Sequence, residues 1–172
     1  MIIRKATQDD VVKVAAGYAE LAEHEKNTIS YTNWQFDYYP TVNTAQESFK
    51  KGTLFVLEDC GEVCASMILN HVQPCEHHKI KWKYNADDAQ ILVIHTLCVN
   101  PSKTSRGYAT AMVNFAHEFA KQTECKVIRL DTYVGNTPAQ SLYKKLGYEY
   151  AGTEHVFFEG KYKDLMYFEY KV

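Results

Sequence analysis

The stretch from Ala89 to Gln122 limits the possible folds more than any other part of the chain. Its first part, AQILVIHTLCV, is apolar on both alternations, which predicts a strand covered on both faces, as in the middle of a sheet. A proline follows, then the polar and basic segment SKTSR with no acid in it. Gly107 next opens a pattern with Met112, Phe115, Ala116 and Phe119 at three- and four-residue spacing. That spacing is one stripe of a helix. A strand, a short loop and a helix in direct succession belong to a sheet with helices packed on it.

The flanking sequence extends the pattern. IIRKAT reads as a short strand, and Thr7 as the N-cap of a helix from Asp9 to about Glu25 with acids in its first turn. TVNTAQESFKKG reads as a second helix ending at Gly52. Two apolar runs around Cys60-Gly61 predict an antiparallel hairpin. KVIRLDTYV is a further strand, and NTPAQSLYKKLG a compact helix with Pro138 in its first turn and Gly147 past its end. Two aromatic-rich strands, YEYAGTEHVFF and KDLMYFEY, close the chain. The expected order is β, two helices, a β-hairpin, β, α, β, α, β, β, a mixed α/β sheet with helices on its faces.

No repeat, low-complexity tract or linker interrupts this order, so a single domain over residues 1–172 is expected. With 19 Lys and Arg against 21 Asp and Glu, the net charge of −2 gives no global attraction to nucleic acid or to an anionic membrane. MIIRKATQDD has charges among its first residues and no apolar run behind them, which reads as neither a signal peptide nor an anchor. The expected location is the cytoplasm. Five cysteines at irregular spacing suit reduced thiols better than a disulfide framework.

The loop before Gly107 points to chemistry. A helix start exposes unpaired N–H groups and the positive end of the helix dipole, and glycine there lets an anion approach the backbone. Ser102, Lys103, Thr104, Ser105 and Arg106 add three hydroxyls and two cations, which would suit a phosphate or two linked ones. An ordinary solvated connection has the same appearance. The Gly-Lys-Ser/Thr ending of a nucleoside triphosphatase loop is missing, as are the three spaced glycines of a dinucleotide fingerprint.

Together with RLDTYVGNTPAQSLYKKLGYEY, this loop resembles the GNAT superfamily of acyl-CoA-dependent N-acetyltransferases. The family's pyrophosphate block, Gln/Arg-x-x-Gly-x-Gly/Ala, falls on Thr104, Ser105, Arg106, Gly107, Tyr108 and Ala109, with Thr104 departing from the usual Gln or Arg. A second block, Asn-x-x-Ala-x-x-x-Tyr-x-x-x-Gly-Phe/Tyr, matches at Asn136, Ala139, Tyr143, Gly147 and Tyr148. The resemblance implies a mostly antiparallel sheet of about seven strands, splayed at strands 4 and 5, with helices on both faces. It implies acetyl transfer from acetyl-CoA to a primary amine by direct attack, the alternative being a non-catalytic acyl-CoA-binding module. By the same resemblance the cofactor meets Leu97, Cys98 and Val99 along the pantetheine arm, and the loop from Thr104 through Thr110 at the diphosphate. It also meets Asn136, Ala139 and Tyr143.

In the family, the tyrosine matching Tyr143 is commonly the acid that protonates the leaving thiol. As part of an apolar stripe with Leu142 and Leu146, Tyr143 is equally readable as packing. His95 interrupts the buried strand on a face with Ile91, Val93, Leu97 and Val99, and is either a base for the amine or a hydrogen-bonded core residue. Many family members carry glutamate near this position. The family also places the roof of the acceptor pocket in TISYTNWQFDYYP, where Tyr31, Trp34 and Asp37 are candidate substrate contacts and packing is the competing role. Cys60, Cys64, Cys75, His77 and His78 have irregular spacing for zinc, and no metal is expected. Cys98 beside the thioester slot reads as a small hydrophobe rather than a ping-pong nucleophile. The expected partner is a small-molecule or peptide amine, and the expected state a monomer or homodimer.

Overall fold

Cys60 and Gly61 take φ of 52° and 80°, and this pair of left-handed residues turns the chain between β2 (Leu54–Asp59) and β3 (Glu62–Asn70). Two positive φ values in a two-residue loop match the natural twist of paired strands. The structure is a computed structural model that describes residues 1–158 and 161–172. Its other elements are β1 (Ile2–Lys5), α1 (Gln8–Asn27), α2 (Val42–Lys50), β4 (Ile91–Val99), α3 (Tyr108–Gln122), β5 (Val127–Tyr133), α4 (Thr137–Lys145), β6 (Glu149–Phe158) and β7 (Lys161–Lys171). Their succession is the one read from the sequence, with short 3-10 turns added at Cys75–Lys79, Asp88–Gln90 and Pro101–Lys103.

The strands form a seven-stranded sheet in the order β1-β2-β3-β4-β5-β7-β6. β1–β2, β2–β3, β5–β7 and β6–β7 pair antiparallel. β4 and β5 pair parallel, through Ile91–Val127, Leu92–Ile128 and Val93–Arg129. This is the mixed, mostly antiparallel sheet of seven strands that the sequence resemblance implies.

By its internal contacts the chain divides into two compact units. The first comprises Met1–Ser30, Trp34–Leu69 and Thr96–Phe115. Its core joins Val11, Val14 and Tyr18 of α1 to Ala45, Leu54, Val56, Val63, Ile68 and Cys98. α1 starts at Thr7, whose N–H and hydroxyl both donate to Asp10 (2.8 and 2.9 Å). Asp10 is only 1% exposed, and Arg4 grips it at 2.5 and 3.3 Å while reaching Glu58 at 2.6 Å. These bonds hold the Asp10 carboxyl at a pKa of about 2 despite its burial, which acts the other way. Gly17 is required by close approach, since a Cβ there would stand 2.5 Å from Asn100 Oδ1. Asn100 in turn donates to the Val63 carbonyl at 3.2 Å, locking the end of β4 to β3.

The second unit comprises Tyr31–Asn33, Asn70–His95 and Ala116–Val172. Ile80, Val156, Leu165 and Tyr167 form one apolar cluster with Trp82, Tyr133 and Ala151 around it. Arg129 pins the segment between β3 and β4. Its guanidinium donates to Gln73 Oε1 (2.6 Å) and to the Tyr84 carbonyl (3.0 Å) and lies 4.3 Å over the Trp82 ring. The buried Glu169 carboxylate accepts from the backbone N–H of Lys83 and Tyr84 at 2.6 and 3.3 Å. A charged pair of strand residues therefore fastens a segment that has little regular structure of its own.

Candidate active site

In the first unit the loop ahead of α3 is exposed and contains two left-handed residues. Ser105 and Gly107 take φ of 64° and 77°, bracketing Arg106, and the backbone from Thr104 to Gly107 is exposed. A Cβ on Gly107 would meet nothing, so its glycine serves the left-handed backbone rather than a tight fit. The first helical bond of α3 runs from Ala111 N–H to the Gly107 carbonyl at 2.9 Å, leaving the amides before it outside the ladder. One amide of the approach already meets a carboxylate: Ser102 N–H donates to Glu20 Oε1 at 2.8 Å. Lys103 is paired with Glu62 at 2.5 Å, whereas Arg106 is exposed. Tyr108 is only 4% exposed and donates to Asp59 Oδ2 at 2.7 Å, anchoring the first turn of the helix. Ala109 and Thr110 follow, half-buried.

β4 changes character along its length. Ile91 to Ile94 are buried on both alternations as expected, but from His95 onward His95, Leu97 and Val99 are half-buried while Thr96 and Cys98 are buried. The break lies at Thr96, whose φ of 50° is a true outlier for a β-branched residue. Such a conformation costs on the order of 1–3 kcal/mol and persists only where surroundings impose it. Here the Thr96 hydroxyl is bonded to the Tyr39 hydroxyl. The uniform face from Ile91 to Val99 that simple alternation suggests is therefore interrupted. Cys98 is 2% exposed, and burial pushes its thiol up to about 12, which leaves almost no thiolate for nucleophilic work near neutrality.

His95 belongs to the second unit. Its Nε2 lies 3.1 Å from Asn70 Oδ1, and that same oxygen accepts from Val72 N–H at 2.8 Å. The second bond fixes the amide's orientation, so Nε2 carries the proton and Nδ1 is left with the lone pair. Burial lowers the His95 pKa, opposed by the Asp131 charge and reinforced by His77. Tyr143 is 5% exposed, its ring edge-on to Tyr148 at 5.4 Å and tilted against Phe168 at 6.1 Å. Burial first, and the Asp131 charge second, raise its phenol well above the ordinary value. The unit thus contains a group inclined to be a neutral base and another inclined to stay protonated.

Asn136 is the N-cap of α4, its Oδ1 accepting from Ala139 N–H at 3.2 Å, so its place in the motif has a local structural reason. Gly147 takes φ of 89° just past the helix, as the sequence suggests. In the aromatic segment, Trp34 sits edge-on to Phe36 (6.0 Å) and Tyr39 (6.2 Å) and packs on the first unit's core. Asp37 is exposed, and Tyr31, half-buried, falls in the second unit. All five cysteines are free. His77 is fully buried and bonded through Nε2 to Asp131 Oδ2 at 3.0 Å. Neither residue was expected as a functional group, although two opposite charges on one face of the strand KVIRLDTYV are a readable anomaly. No helix among the described residues is long and apolar enough to cross a membrane.

Comparison with known proteins agrees with this architecture. An uncharacterized N-acetyltransferase of Methanocaldococcus jannaschii is 35% identical over 68 residues, spanning 40% of this chain and 30% of that relative. A GNAT-family acetyltransferase structure from Streptococcus agalactiae superposes with a TM-score of 0.82 at 20% identity, over 99% of this chain and 95% of the other. An acetyltransferase from Salmonella typhimurium, described with its cofactor acetyl-CoA, gives a TM-score of 0.71 at 15% identity over 99% and 93% of the two chains. The model of the acetyltransferase (GNAT) family matches residues 18–148, and the chain belongs to that family.

Proposed function

We propose that this protein is an N-acetyltransferase that moves an acetyl group from acetyl-CoA to a primary amine by direct attack. The observation that carries the reading is the loop before α3, where two left-handed residues flank an exposed arginine at the positive end of a 15-residue helix. The exposed amides, the hydroxyls of Thr104 and Ser105 and the exposed guanidinium of Arg106 fit a diphosphate in both charge and donor type. Tyr108, Ala109 and Thr110 continue the cradle. The family resemblance assigns backbone groups of Leu97, Cys98 and Val99 to the pantetheine amides, and Asn136, Ala139 and Tyr143 to the cofactor as well.

Acetyl-CoA, when bound, supplies an acyl group activated as a thioester. An aliphatic amine has a pKa near ~10, so on the order of one molecule in a thousand is nucleophilic at neutral pH. His95 accepts the excess proton at Nδ1, for which its lowered pKa keeps it neutral. Tyr143 keeps its own proton at neutral pH and donates it to the departing sulfur. Cys98 takes no part, since its thiol is held protonated.

Mixing acetyl-CoA with a panel of amines while following free thiol tests the reading. Amine-dependent release that Tyr143→Phe abolishes supports it. The burial of Tyr143 against Tyr148 and Phe168 favours, as the second reading, an acyl-CoA-binding module without turnover; binding with no thiol release from any amine would identify that. Five free thiols suit the cytoplasm as the working compartment.

A further inference from the structure

The second unit contains polar groups that this chemistry leaves unused. His77 is 0% exposed, and because a carboxylate only accepts hydrogen bonds, its Nε2 donates to Asp131. Its Nδ1 then has no hydrogen-bond partner, and neither does the Tyr167 hydroxyl, on a residue equally buried. The two rings meet edge-on at 5.3 Å. Buried polar atoms without partners are rare in folded proteins and signal a water or ligand group that completes them.

The strand register assembles the rest of the cluster. Val93 of β4 pairs with Arg129 of β5, and His95 and Asp131 each lie two residues further along, on the same alternation. Asp131 in turn pairs with Tyr167 of β7. The groups facing Asp131 are His77 from the segment between β3 and β4, His95 from β4 and Tyr167 from β7. Its charge also acts on Tyr143 of α4. Its nearest charged neighbour on β5, Arg129, is committed to Gln73 and Tyr84. Asp131 itself is 27% exposed and forms no ion pair with a lysine or arginine among the described residues. It is thus an open carboxylate with one oxygen tied to an imidazole N–H and no cation of its own.

We propose that Asp131 is the group that recognises the acceptor's ammonium, that His77 is a positioning residue which fixes the carboxylate, and that the acceptors are amines cationic at neutral pH. This rests on the N-acetyltransferase reading. The ammonium held by Asp131 gives its proton to His95 Nδ1. The freed nitrogen lone pair forms the new N–C bond as the C–S bond breaks, and the departing sulfur takes the phenolic proton of Tyr143. On becoming an amide the nitrogen sheds its second proton, which returns through water to the Tyr143 phenolate, and His95 releases its own proton to solvent. Asp131 stays ionised throughout and acts by binding.

The test compares amines that differ in charge. With acetyl-CoA saturating at pH 7, thiol release is followed for benzylamine, 2-phenylethylamine and 1,4-diaminobutane, which are cations, and for aniline, which is neutral. Asp131→Asn, isosteric and uncharged, should lower kcat/KM for the best cationic amine about 50-fold, mainly through KM, and change aniline less than threefold. His77→Gln should lower the cationic value five- to tenfold, and both variants should bind coenzyme A within twofold of wild type. Equal losses for charged and neutral amines, or no loss for either, would overturn the proposal. If wild type binds coenzyme A but acetylates none of these amines, the acetyltransferase reading fails separately. Calorimetry of the three cations with coenzyme A-loaded protein then decides the role of Asp131: tighter binding by wild type than by Asp131→Asn upholds it, and equal or undetectable binding by both refutes it.

Discussion

The loop before α3 and the cluster around Asp131, the two charge-binding sites proposed above, are built in opposite ways. The loop is one contiguous run, exposed from Thr104 to Gly107, and it presents backbone amides and an exposed arginine. The cluster draws His77, His95, Asp131, Tyr143 and Tyr167 from five separate elements and buries most of them. Backbone recognition tolerates substitution, because the donors survive a change of side chain. Side-chain recognition does not, because each buried group depends on a partner supplied from elsewhere.

If that contrast is right, the second unit should be the more fragile to single substitutions. Arg129→Ala strips two charge-assisted bonds, to Gln73 and Tyr84, and removes the positive charge that Glu169 acts on; a loss of about 3–5 kcal/mol is expected, read as a fall in thermal midpoint. Tyr143→Phe keeps the packing against Tyr148 and Phe168 and removes only the hydroxyl proposed as the acid, so kcat should drop at least ~100-fold with little change in coenzyme A affinity.

Acid sharpens the comparison from the other side. The Asp10 carboxyl, at about 2 in the folded protein against an ordinary 3.8, stabilises the first unit fully above that ordinary value. This contribution, on the order of 2 kcal/mol, is lost as pH falls through about 2. Asp10→Asn should flatten the stability profile between those limits. The two tryptophans, Trp34 in the first unit and Trp82 in the second, allow each unit to be followed separately in Trp→Phe variants. The single-domain expectation requires their transitions to coincide; a separate, earlier acid transition at Trp34 would break it. Smallest of all is Gly107→Ala. With nothing for the methyl to strike, only the left-handed backbone is penalised, by about 1 kcal/mol, and coenzyme A affinity measured by calorimetry should weaken about fivefold.

Much of the fold was legible because its signals are local. Thr7 and Thr41 cap α1 and α2, Cys60-Gly61 turns the hairpin, and Gly147 follows α4, each as its residue type dictates. The start of α3 just after Gly107 could be read for the same reason. The His77–Asp131 pair could not: its members are far apart in sequence, and nothing local to either points to the other. Thr96 was hidden for another reason. A left-handed β-branched residue contradicts local preference, so periodicity carried the face of His95 unbroken to Val99, where the structure interrupts it.

Each unit is assembled from three separate stretches of chain, and both β4 and α3 begin in one unit and finish in the other. No contiguous gene fragment therefore encodes either unit whole, and a split-protein reporter or deletion series designed at the unit borders would sever a strand or a helix. The exposed hairpin tip at Cys60 and Gly61 breaks no such element, which makes it the natural place for a tag or a permuted terminus.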